Sequence, residues 1–188
     1  MTVGQNVQEA VDLMEKGLPQ LAFAKACAAI SETIKKAVGK TDLAEGDYRR
    51  FIRENWQLIS FMGLPNALPL PLDIPFKLKR VMPRFNVHHG VEEIISLVIS
   101  QTLFIGKLPS EFAFNSNGLF EAKDNRFFLP NTLLGGLLGI VIVQPINKDE
   151  TVPDKYWMNI ADFKMFTSEL WGRIDLAERI MNFHLETD

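Results

Sequence analysis

Apolar residues recur at helical spacing along most of this 188-residue chain and give way to strand-like alternation only beyond residue 110. Val7, Ala10, Val11 and Met14 mark one face of a helix over residues 6–16, with Gly17 as its stop. Leu18-Pro19 opens a second helix, because proline fits a first turn, and this helix runs to Val38 before Gly39. Leu21, Ala24, Ala28, Ser31, Ile34, Lys35 and Val38 mark its faces. A third helix fits residues 47–62, with Tyr48, Phe51, Ile52, Asn55, Leu58, Ile59 and Met62 as its inward stripe. Three helices joined by short breaks predict an antiparallel helical bundle.

The helical pattern then stops. Prolines 65, 69, 71, 75 and 83 exclude a regular helix from most of residues 64–86. Leu68, Leu70, Leu72, Ile74 and Phe76 need burial, so the connection is read as wrapped on the bundle and as the place for a binding groove or dimer contact.

A fourth helix follows over residues 91–105, with Glu92 and Glu93 at the end where negative charge suits the helix dipole. Its polar interior positions are Ser96, Ser100, Gln101 and Thr102, all without an ionisable group, which argues against an enzyme site there. Residues 111–114, 119–123 and 126–129 cluster apolar residues between the turn signals Asn115-Ser-Asn-Gly118 and Asp124-Asn125, predicting a small antiparallel β meander. In the helix expected over residues 132–143, Gly135, Gly136 and Gly139 form a small-residue face; glycine costs about 1 kcal/mol against alanine in a helix, so close packing is its use. A strand at 156–160 and a helix over 162–185 complete the pattern, with Leu170, Ile174, Ala177, Ile180, Met181 and Leu185 facing inward. The fold class is mainly α with minor β. Residues 1–150 are read as the domain, and 151–188 as an extension packed on it.

Composition narrows the chemistry. Hydrophobic residues make up 47% and charged residues 23%, the balance of an ordered globular chain. A net charge of −3 gives no global field for nucleic acid, so any RNA contact has to be local. The single cysteine, Cys27, excludes an internal disulfide and lies among small apolar residues, where it reads as a packed hydrophobe. The longest apolar run, 132–143, falls short of the roughly 20 residues that span a bilayer. Residues 1–9 lack a signal-peptide pattern, and a cytoplasmic protein is expected. No Gly-rich phosphate loop, Gly-x-Ser-x-Gly or His-Glu-x-x-His occurs, so no cofactor is expected, and nucleotide hydrolases, serine hydrolases and zinc proteases of the familiar kinds are disfavoured.

The phrases Leu18-Pro-Gln-Leu-Ala-Phe-Ala-Lys-Ala-Cys-Ala-Ala-Ile30, Tyr48-Arg-Arg-Phe-Ile-Arg-Glu-Asn-Trp-Gln-Leu-Ile59, Lys107-Leu-Pro-Ser110, Phe128-Leu-Pro-Asn-Thr-Leu-Leu134 and Pro145-Ile-Asn-Lys-Asp149 come in this order. Together they resemble an uncharacterised bacterial group related to the HEPN-like helical domains. The resemblance implies RNA cleavage by an Arg and a His a few residues apart on a helix, at a dimer interface. On the matching helix, Ser100 and Ile105 stand where that pair would be, so the resemblance implies a relative that has lost it.

Arg84, His88 and His89 offer a displaced pair just before that helix. In a metal-independent ribonuclease His88 or His89 would handle the proton, while Arg84, helped by Arg80, would stabilise phosphate charge. Adjacent histidines point different ways and no carboxylate set accompanies them, so no metal site is expected. Lys77, Lys79, Arg80 and Arg84 form the best local site for RNA or for a small anionic ligand. Arg49, Arg50 and Arg53 with Lys35, Lys36 and Lys40 are read instead as a salt-bridged, solvated face, and Trp56, Trp157 and Trp171 as packing residues. The leading expectation is a non-catalytic interaction or regulatory protein. It would form a homodimer or a partner complex through the proline-rich connection and helix 91–105.

Overall fold

A computed structural model describes residues 1–64, 90–124, 126–153, 155–161 and 163–187. Helices α1 (Val3–Glu15), α2 (Pro19–Val38) and α3 (Glu45–Gly63) come first. The Thr2 hydroxyl accepts from the Gln5 N–H while the Gln5 side chain accepts from the Thr2 N–H, so α1 begins on a reciprocal cap. Gly17 and Gly39, at φ +70° and +66°, supply the left-handed residues that end the first two helices. The short break between α1 and α2 makes them packed antiparallel neighbours.

Helix α4 (Val91–Ile105) ends at Gly106, as its pattern predicts. Its side chains Val91, Ile94, Ile95, Val98 and Ile99 are buried, and it packs on α2 and α3. The Ser96 and Ser100 hydroxyls donate back to the Glu92 and Leu97 carbonyls at 2.6 and 2.9 Å, which is how an apolar helix accommodates them. Helix α5 (Leu133–Val143) runs through the centre, buried against α2 and α3. Gly136 meets α3 at Gly63 backbone to backbone, so the glycine face is the close contact its sequence implies.

Strands β1 (Phe112–Asn115), β2 (Glu121–Lys123) and β3 (Arg126–Pro130) form the small sheet. Its order is β1-β3-β2, which corrects the simple meander: β2 is antiparallel to β3, but β1 is parallel to β3. The reason is burial. Phe127 and Leu129 of β3 are fully buried and take the centre, while Glu121-Ala122-Lys123 is polar and takes an edge.

Strands β4 (Trp157–Ile160) and β5 (Phe163–Phe166) form an antiparallel hairpin, and α6 (Ile174–Thr187) closes the chain. The expected helix over 162–185 is therefore shorter, because its first residues pair as β5. Ala161 at φ +50° makes the tight turn that this pairing needs. Ala177, Ile180 and Met181 face the core as predicted, whereas Leu185 is exposed. In α2 the buried set is Ala22, Phe23, Ala26, Cys27, Ala29, Ile30, Ser31, Thr33 and Ile34; of the residues expected to mark faces, Ser31 and Ile34 are in it, whereas Leu21 and Val38 are exposed. Among the described residues no helix is long and apolar enough to cross a membrane.

Candidate functional site

Lys77, Lys79, Arg80, Arg84, His88 and His89 all lie outside the described residues, as do the prolines of the connection. The α4 positions that the resemblance assigned to an Arg and a His are described. Ser100 is half-buried and turned to its own helix backbone, and Ile105 sits exposed at the C-terminal end beside Phe104, which is 91% exposed. Neither can move a proton at neutral pH.

The basic groups of α2 and α3 are largely paired. Lys35 bonds Glu32 at 2.9 Å, Lys40 bonds Asp47 at 3.2 Å and Arg49 bonds Glu45 at 3.2 Å. The Ala44 N–H donating to Asp47 at 2.9 Å, with Lys40 beside it, holds that carboxyl below its usual range. This is a salt-bridged helix surface. Cys27 is fully buried, and burial pushes its thiol well above the ordinary value, away from reactivity.

An open cleft of about 630 Å³ lies along α1, lined in part by Gln5, Gln8, Asp149, Glu150 and Thr151. Its carboxylate at Glu150 is engaged: it accepts the Gly4 N–H at 2.8 Å and pairs with Lys36. Burial alone would raise the Glu150 carboxyl, but Lys36, Gly4 and Thr2 outweigh it and leave it below the ordinary 4.5. Close by, the Tyr156 hydroxyl donates to Asp12 at 2.5 Å; burial and then that bond raise the phenol above its usual range. Both carboxylates serve to fasten α1.

A lowered carboxyl adds stability above the unfolded-state value and loses it as pH falls through the folded one. Wild type is therefore expected to melt higher than Glu150→Gln at pH 7, with the gap closing below pH 4.5, checked by thermal melts of both proteins across that range.

The β4–β5 hairpin carries the feature that the sequence reading missed. Trp56 and Trp171 are buried as expected, but Trp157 is 50% exposed and its cross-strand partner Phe166 is 53% exposed. The Lys164 ammonium sits 3.7 Å from the centre of the Trp157 ring. Strand alternation was the available signal. Met158 and Ile160 turn inward, Met158 reaching Gly139 of α5, so Trp157 and Asn159 turn out, and Lys164 and Phe166 share that outer face. Among the described residues no group of three His, Cys, Asp or Glu could hold a metal.

The uncharacterized protein Rv1289 of Mycobacterium tuberculosis (strain ATCC 25618 / H37Rv) is 23% identical over 195 residues, covering 97% of this chain and 89% of that one. The uncharacterized protein Mb1320 of Mycobacterium bovis (strain ATCC BAA-935 / AF2122/97) matches to the same extent, 23% over 195 residues. No solved structure gives a significant match. The family model of Rv1289 matches residues 2–188, and the chain belongs to the Rv1289 family.

Proposed function

We propose that this protein works by association with another macromolecule and not by catalysis. The observation that carries this reading is the outward pair Trp157 and Phe166. Two large aromatic rings held side by side on a rigid strand pair offer desolvation energy that a folded monomer leaves unused. The side chains that an interaction site needs are thus present at low conformational cost. A HEPN-like ancestry in which Ser100 and Ile105 replaced the catalytic Arg and His is part of the same proposal.

The test is photo-cross-linking in cells, with a photoactivatable phenylalanine analogue in place of Trp157 and, as control, of exposed Lys123. A discrete adduct at position 157, identified by mass spectrometry as a second copy or another protein and missing at position 123, is the expected result. Equal, diffuse labelling at both positions would overturn the reading. So would cleavage of a mixed RNA pool, in the presence of chelator, that Arg84→Ala or His88→Ala/His89→Ala abolishes.

A further inference from the structure

The turn after β1 carries a residue pair whose chemistry the association reading does not use. Asn117 is the one asparagine of the chain that precedes glycine, whereas serine follows Asn115 and larger residues follow most of the others. It is exposed, on the loop between β1 and β2. The Leu119 N–H donates to the Asn117 Oδ1 at 3.1 Å, so the side chain folds back over the peptide that follows it, as an Asx turn. The Asn115 amide braces the same turn, donating to the Leu119 carbonyl at 2.9 Å. Gly118 lies inside it at φ +77°, and the Gly118 N–H has no partner among the described residues.

These features favour one reaction. The Asn117 amide carbon is an electrophile, and the Gly118 nitrogen can close on it through a five-membered ring. Glycine puts no Cβ in the path, and the turn keeps the two groups together. The Leu119 N–H sits on the oxygen where negative charge develops during attack. The Asn117 Nδ2, the leaving group, forms no hydrogen bond among the described residues. Asn115 is the contrast. It ends β1, its Nδ2 is engaged with Leu119, and its carbonyl accepts the Asn131 N–H at 2.8 Å.

We propose that Asn117 is a site of spontaneous covalent modification, deamidating through attack by the Gly118 nitrogen. The Gly118 N–H proton passes to hydroxide as the bond from nitrogen to the Asn117 Cγ forms; the Cγ–Nδ2 bond then breaks, and the nitrogen takes a proton from water and leaves as ammonia. Water opens the cyclic imide. Addition at Cγ gives aspartate, and addition at the Asn117 backbone carbonyl carbon gives isoaspartate. Either product adds one negative charge to the net −3, and isoaspartate also lengthens the main chain between β1 and β2 by one carbon. The proposal stands apart from the association reading and does not depend on it.

The test is storage of the purified full chain at physiological temperature, from neutral to mildly alkaline pH. Trypsin then releases residues 108–123 as one peptide whose only asparagines are Asn115 and Asn117, and tandem mass spectrometry places the mass gain of an amide turned acid. Isoaspartate is counted with an L-isoaspartyl methyltransferase and a labelled methyl donor. Asn117 is expected to convert several-fold faster than Asn115, faster as pH rises, with isoaspartate among the products. Gly118→Ala is expected to slow conversion several-fold; because alanine is strained at φ +77°, Asn117→Gln, which keeps the glycine, provides a second variant and is expected to abolish it. Earlier conversion at another asparagine, an unchanged rate in Gly118→Ala or Asn117→Gln, aspartate without isoaspartate, or a folded chain that stays intact while a synthetic 108–123 peptide converts would each overturn the proposal.

Discussion

Gly136→Ala is expected to destabilise the fold by about 3 kcal/mol or more, beyond the usual overpacking range, while its neighbour Gly135→Ala is neutral or mildly stabilising. A Cβ on Gly136 would stand 2.2 Å from the Ile59 carbonyl oxygen and 3.0 Å from the Gly63 Cα, all backbone of a buried helix with nowhere to go. A Cβ on Gly135 would meet nothing nearer than the Met62 carbonyl oxygen at 3.9 Å, so the gain of about 1 kcal/mol in helix propensity is left to show. Gly139→Ala should fall between them, because its obstacles at 2.9 Å are the flexible ends of Met62 and Met158. Urea denaturation of the three variants checks the order. Similar losses at all three would mean that α3 and α5 do not cross at Gly63.

Asn147→Ala is expected to cost about 2–3 kcal/mol, the range for a buried polar pair broken with one partner left unsatisfied. Asn147 is fully buried in the turn after α5, and its amide donates to the Thr33 hydroxyl at 2.9 Å and to the Val141 carbonyl at 2.8 Å. Thr33 has a second outlet, donating to the Ala29 carbonyl at 2.8 Å, so the loss falls chiefly on Val141. That carbonyl belongs to the last turn of α5, where no later helical N–H reaches it. The denaturation midpoint should fall with an unchanged slope, and a change confined to the slope would refute this account.

Much of the helical framework was legible in the chain because it rests on spacing and on stop residues. α4 is the plainest case, bounded at Val91 and Gly106 by its apolar run and by a left-handed glycine at φ +75°. α2 was harder. Ser31 and Ile34 are buried as marked, but small residues such as Ala22, Ala26 and Ala29 are buried too while Leu21 is exposed, so hydrophobicity alone did not single out the inward face. Strand order is a tertiary choice, settled by the burial of Phe127 and Leu129, and no local pattern records it. The strand over 156–160 was legible and is β4, but its partner β5 went unread for a different reason. Phe163-Lys-Met-Phe166 satisfies both periods over so few residues, and a strongly amphipathic α6 follows it closely. The exposed face of Trp157 was hidden with it.

The fastenings of α1 also order events during synthesis. Gly4 is gripped by Glu150 across 146 positions and Asp12 by Tyr156 across 144, so α1, made before the other described helices, is among the last of them to be locked. Until residues 150 and 156 emerge, α1 rests chiefly on its neighbour α2, which shelters Val3, Val7 and Ala10. A nascent chain stalled before that point carries α1 as a loosely held amphipathic helix, the kind of segment that chaperones bind.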